Sequence, residues 1–168
     1  MPDFRILFVA PAGAKGGTVP GTYTQLLLHV VFSTKHREPW ITTDISERLY
    51  EYIGGIIRGE KGVLYSRGGT ADHIHLYVRW RPDGALSDLM RAVKAGSSLW
   101  IHQTFPKLGS FAWQEGYGAF SVSKSQEQAV KNYIAKQAQH QAKEDFKSEL
   151  LRLLRAHGIE FDERYVFD

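Results

Sequence analysis

Apolar positions along the chain alternate or recur every three to four residues, and the two periods divide it into strands and helices. Residues 23–34, YTQLLLHVVFST, are dense in aliphatic and β-branched side chains, which predicts a central strand. After Pro39, Ile45, Leu49, Ile53, Ile56 and Ile57 recur at helical spacing as far as Arg58, with Asp44 and Glu47 placed as a cap pair. Gly62 interrupts, VLYSRGG predicts a second strand reaching Gly68–Gly69, and TADHIHLYVRW, residues 70–80, predicts a third. Pro82, Asp83 and Gly84 make a turn.

Residues 85–105 read as a second helix, with Leu86, Leu89, Met90, Val93, Ser97 and Trp100 as its inner stripe. FAWQEGYGAFSVS, residues 111–123, predicts a fourth strand in which Gly116 and Gly118 permit a bulge or a close approach. Ser125 and Gln128 have capping-box spacing and open a third helix over 126–142. A further helix over 144–157 presents Phe146, Leu150, Leu153 and Leu154 and stops at Gly158. The order β-α-β-β-α-β followed by helices predicts an α+β, ferredoxin-like antiparallel sheet with helices on one face. Its other face is open to a substrate or a second subunit.

At 168 residues the chain is expected to form one domain over 23–168, with 1–22 as a flexible, Gly/Pro/Ala-rich N-terminal extension. No apolar run approaches the ~20 residues of a membrane span. The absence of cysteine excludes disulfides and thiolate metal sites, and fits a reducing cytoplasm. The net charge of +3 and pI near 9.1 are mild, but their distribution is not even. Arg79, Arg81, Arg91, Lys94, Lys124 and Lys136 lie in or beside the central segments, while Glu144, Asp145, Glu149, Glu160, Asp162 and Glu163 come late. A basic middle suits a polyanion, and those six basic residues are the candidates for phosphate contacts.

The third predicted strand carries the candidate chemistry. His73 and His75 point to one face, roughly 6.6 Å apart at the backbone, while Ile74 and Leu76 point to the other. Two imidazoles so placed can share a divalent ion, or can simply form a polar strand edge. On the third helix, Tyr133 and Gln137 stand one turn apart on the same side. Tyr133 reads either as an aromatic packed with Val130 and Ile134 or as a nucleophile. A free phenol, with a pKa near ~10, needs a nearby metal and a polarised phosphate to react at neutral pH.

The segments DHIHLYV, WQEGYGAFSVS, NYIAKQ and HGIEFDERYVFD, with LHVVFSTKHREP ahead of them, resemble the single-tyrosine HUH transposases of bacterial insertion sequences. The resemblance spans Tyr23 to Asp168. It implies that His73, His75 and Gln137 hold a magnesium or manganese ion and that Tyr133 attacks a DNA phosphate. It implies a 5′-phosphotyrosine intermediate, rejoining by a second 3′-hydroxyl, and recognition of hairpins in single-stranded DNA. It also implies a homodimer whose tyrosine helix serves the partner's histidines. One departure is that His140 is followed by Gln141, where the family often has paired histidines.

Two other readings stay open on the sequence. One is an inactive or domesticated relative that binds hairpin single strands without cutting. The other is a ferredoxin-like single-strand binding module, which would expose aromatic residues on its strands and need no metal.

Overall fold

The computed structural model describes residues 23–137 and 144–166. The expected N-terminal extension, His140 and Gln141 lie outside the described residues. Strands β1 (Leu26–Ser33), β2 (Val63–Gly69), β3 (His73–Trp80) and β4 (Gly118–Ser121) form one antiparallel sheet in the order β2-β3-β1-β4. Helices α1 (Thr43–Gly59) and α2 (Leu86–Thr104) are the crossovers, followed by α3 (Glu127–Ala135) and α4 (Phe146–Ala156). This is the predicted ferredoxin-like order.

Side-chain alternation sorts the sheet into two faces. Val30 and Phe32 of β1 and Ile74, Leu76, Val78 and Trp80 of β3 face α1 and α2, where Leu49, Ile53, Ile57, Leu89 and Val93 complete the larger core. Removing each such side chain from water stabilises the fold by about 1.5–3 kcal/mol. On α2 the buried stripe runs through Ile101, whereas Trp100 stays half-buried and stacks on Tyr52 with ring centroids 5.0 Å apart. The opposite face, expected to be open, is covered by the C-terminal helices of the same chain. Val31 and Phe120 pack against Phe146, Leu150 and Leu153 of α4, and Leu27 and Tyr77 pack against Ile134 of α3.

Three local expectations are corrected. The fourth strand is only Gly118–Ser121, with an isolated bridge from Thr34 to Trp113. Between them the Lys94 ammonium donates to the carbonyls of Gln114, Glu115 and Gly116, so these groups serve a cation instead of a ladder. Neither predicted cap forms: Ser125 Oγ pairs with Ser123 Oγ, and Gln128 bonds Asn132. At α1 the Thr42 hydroxyl bonds Asp44, and Glu47 reaches across to Arg67 at 2.7 Å. The third helix is interrupted: α3 runs to Ala135, Lys136 is a turn and Gln137 is helical again, while positions 138–142 of the predicted helix lie outside the described residues.

Helix α4 does obey local rules. Asp145 accepts from the Ser148 amide at 2.8 Å as its N-cap. At the other end Gly158, at φ +64°, lets the Ile159 amide return to the Leu154 carbonyl at 3.0 Å.

Candidate active site

The site forms where β3 meets α3 and α4. Strand alternation aims His73, His75 and Tyr77 away from the main core, and the register places His75 opposite Val31 of β1 and Gly68 of β2. Gly68 admits α3. A Cβ there would lie 2.3 Å from the Ile134 carbonyl oxygen, so only glycine lets the helix backbone lie against the sheet. That contact fixes the neighbouring Tyr133 over the histidines, its ring centroid 5.9 Å from that of His75 and 6.0 Å from that of His29.

Both imidazoles are fully buried and oriented from behind. His73 Nδ1 bonds Asp72 Oδ1 at 2.8 Å and Thr70 Oγ1 at 2.9 Å. His75 Nδ1 is 2.8 Å from His29 Nε2. These bonds leave both Nε2 atoms directed at one point. His73 Nε2 meets Gln137 Oε1 at 3.4 Å and Glu149 Oε2 at 3.4 Å, and His75 Nε2 is 3.5 Å from Glu149 Oε1. His29, buried in β1, is the support for His75. Burial, with His75 beside it, lowers its pKa to about 3, so it stays neutral and its Nε2 can accept a hydrogen bond from His75 Nδ1.

Glu149 is the residue that sequence reasoning missed. It is 3% exposed and bonds Tyr133 Oη and Gln137 Nε2, the latter at 3.0 Å, while facing both histidines. Burial raises its pKa, but the hydrogen bonds from His73 and His75 outweigh this and hold it far below the usual carboxylate range. Burial opposes charge on His73, yet its bonds to Asp72 and Glu149 lift it to about 9. A signal existed in the sequence: Glu149 occupies the same helical stripe as Phe146, Leu150 and Leu153, where a carboxylate needs a buried partner.

Among the described residues, His73, His75 and Glu149 form a group whose ligand atoms lie within 4.8 Å of one another. Two imidazole nitrogens, carboxylate oxygens and the Gln137 amide oxygen form a mixed N/O donor set without thiolate. That set suits a divalent cation with positions left for phosphate or water, rather than a closed structural zinc.

Tyr133 Oη donates to Glu149 and accepts from Arg152 Nη2 at 3.1 Å. Burial and the Glu149 carboxylate push its pKa up to about 12. Thus Tyr133, His73, His75 and Gln137, all four of the residues expected at the site, meet within one chain.

The basic candidates do not gather around them. Arg91 and Lys94 sit on α2, across the sheet, where Arg91 pairs with Asp88 at 2.9 Å and Lys94 binds the 114–116 carbonyls. Arg81 pairs with Asp83 at 3.2 Å, and Lys124 pairs with Glu127. Arg79 continues the row of His73, His75 and Tyr77, half-buried, and Lys136 is exposed beside Gln137. Trp80 and Trp113 are buried, so neither offers its ring to a base, and Tyr65 of β2 is the exposed strand aromatic among the described residues. No helix among the described residues is long and apolar enough to cross a membrane.

Comparison with known proteins places the fold and the family. The ISDra2 transposase TnpA of Deinococcus radiodurans is 23% identical over 122 residues, covering 70% of this chain and 87% of that protein. A crystal structure of a candidate transposase from Deinococcus radiodurans R1 superposes with a TM-score of 0.60 at 23% identity, covering 74% of this chain and 98% of that one. A REP-associated tyrosine transposase bound to a REP hairpin superposes with a TM-score of 0.56 at 14% identity, covering 91% and 93%. The family model described as "Transposase IS200 like" matches residues 22–137, well over half of the sequence, and the chain belongs to that family.

Proposed function

We propose that the protein cuts and rejoins single-stranded DNA at hairpin-bearing element ends, with Tyr133 as nucleophile and a divalent cation at His73, His75 and Gln137. The observation that carries this reading is the placement of the Tyr133 phenol beside the convergent Nε2 atoms, with Glu149 between them. A bound magnesium or manganese ion would supply Lewis-acid stabilisation of the charge that develops on the phosphate oxygens.

The chain's own groups do the rest. Tyr133 Oη gives up its proton and attacks phosphorus, the bond from phosphorus to the 3′-oxygen breaks, and that oxygen takes up a proton and leaves as a free 3′-hydroxyl. The DNA stays attached through a 5′-phosphotyrosine ester. Attack by a different 3′-hydroxyl reverses the chemistry and returns the phenol, so strand joining needs no outside energy source. Arg152, already bonded to Oη, favours the phenolate in both directions.

The hairpin as substrate is supported by the REP hairpin bound to the REP-associated tyrosine transposase, the active-site roles by the cluster geometry, and cytoplasmic action by the DNA substrate. The expected partner beyond DNA is a second copy of the chain in a homodimer.

The test is to incubate the protein with a hairpin-bearing single strand and manganese and to look for a denaturant-resistant protein–DNA adduct. The adduct should form in the wild type, disappear on chelation, and disappear in Tyr133→Phe while DNA binding persists. An adduct that survives Tyr133→Phe overturns the assignment of the nucleophile. Hairpin binding without any adduct would instead favour the non-cutting relative.

A further inference from the structure

Beside Tyr133, residues of β4, α3 and α4, with His29 of β1, line an open cavity of about 610 Å³. This is within the ~300–1,000 Å³ typical of small-molecule sites, and neither the cation cluster nor the nucleophile fills it. Resting on the reading above, we infer that this cavity is a nucleotide subsite. It takes the base adjoining the phosphodiester that Tyr133 attacks, with Arg152 on the phosphate.

Three features of the walls support the assignment. First, Arg152 is held by Glu144 at 3.0–3.2 Å and places Nη2 3.1 Å from Tyr133 Oη. A phosphate approached by that oxygen comes within reach of a guanidinium, the side chain that matches its geometry best. Second, the exposed His157 ring is backed by Phe120, with centroids 4.5 Å apart and a 31° tilt, which offers a flat, supported surface to a base. His157 Nδ1 donates to the Leu153 carbonyl at 2.8 Å, which fixes the orientation of the ring. Third, Ser123 and Gln126 line the cavity as exposed polar side chains able to meet the edge of a base. A flat surface and polar edge groups match the face and edge of a base, and the cation beside the nucleophilic oxygen matches the phosphate.

The test uses the full chain without added metal, so that binding is read apart from cleavage. Thymidine 5′-monophosphate and deoxyribose 5-phosphate are titrated separately, following the ring resonances of His157, assigned with His157→Gln. The nucleotide should shift them saturably, and the sugar phosphate should not at equal concentration. Ala129→Trp, an exposed α3 position lining the cavity, should abolish the shift by filling the space. Arg152→Ala should weaken binding about tenfold, the loss of one charge-assisted contact. Equal binding of the sugar phosphate, or unchanged nucleotide binding in Ala129→Trp, would overturn the subsite. In the adduct assay Ala129→Trp should be slowed; a wild-type rate would also overturn it while leaving the reaction intact. Nucleotide binding in a protein that never forms an adduct would leave the subsite standing and remove the proposed reaction.

Discussion

Tyr133 and Glu149 share one hydrogen bond, in which the phenol donates to a carboxylate oxygen that also accepts from the Gln137 amide and faces His75. The carboxylate is thus the hinge between the nucleophile and the cation cluster. Glu149→Gln keeps the shape but removes the charge from the donor set. Manganese affinity, measured by calorimetry, should fall at least about tenfold, while Tyr133→Phe should leave it nearly unchanged. Equal affinity in Glu149→Gln would mean that the carboxylate only pins the phenol.

Gly68 tests whether placing α3 is what places the nucleophile. A methyl group there meets the backbone oxygen of Ile134 at 2.3 Å, which no side-chain rotation relieves. Gly68→Ala should cost about 1–3 kcal/mol in denaturant unfolding, as overpacking does. It should also cut adduct formation far more than Gly55→Ala, at a position where an added Cβ meets nothing within 4 Å. Equal adduct yields in the two variants would show that α3 has freedom to shift without consequence.

Much of this is legible in the sequence. The sheet order follows from two periods and a few breakers, and His73, Ile74, His75 and Leu76 sort themselves by alternation alone. The shortened β4 is not legible, because Lys94 binds the 114–116 carbonyls from a helix twenty residues earlier, and no local pattern records that. Nor are the caps at Ser125 and Asp44, whose side chains find side-chain partners closer than the helix amides. Glu149 is masked by its neighbours in an acidic stretch, where it counts as surface charge. Only its phase on α4, shared with Phe146 and Leu150, sets it apart from Glu144 and Glu160.

Asp145 controls how α4 delivers Glu149 and Arg152. Its carboxylate caps the Ser148 amide, and that bond lowers its pKa below the ordinary 3.8. Asp145→Ala should cost about 0.5–2 kcal/mol near neutral pH. A carboxyl whose pKa is depressed by folding contributes stability that is present above its unfolded value and lost as pH falls through the folded one. The gap between wild type and Asp145→Ala should therefore be constant above about pH 5 and narrow in acid. A gap that widens as pH falls would contradict the cap.

The last prediction concerns which subunit supplies the phenol. The family resemblance implies that the tyrosine helix serves the partner's histidines. Here Tyr133 lies against His75 of its own chain and shares Glu149 with His73, and Gly68 seats the backbone of α3 on β2 of that chain. Exchange between subunits would have to pull Ile134, 0% exposed, and Gln137, 1% exposed, out of contacts they already make. Tyr133→Phe retains the histidines, and His75→Ala retains the phenol. If sites are completed within one chain, every site in a mixture of the two lacks one component, so the mixture stays without adduct. If helices are exchanged, a mixed dimer rebuilds one complete site, and half of the randomly paired dimers would be mixed. Mixing the purified variants through a dissociating step and assaying the adduct with manganese separates the cases. The packing of α3 predicts no restoration, and recovery toward a quarter of the wild-type yield, one site in two in half of the dimers, would show that the helix crosses over.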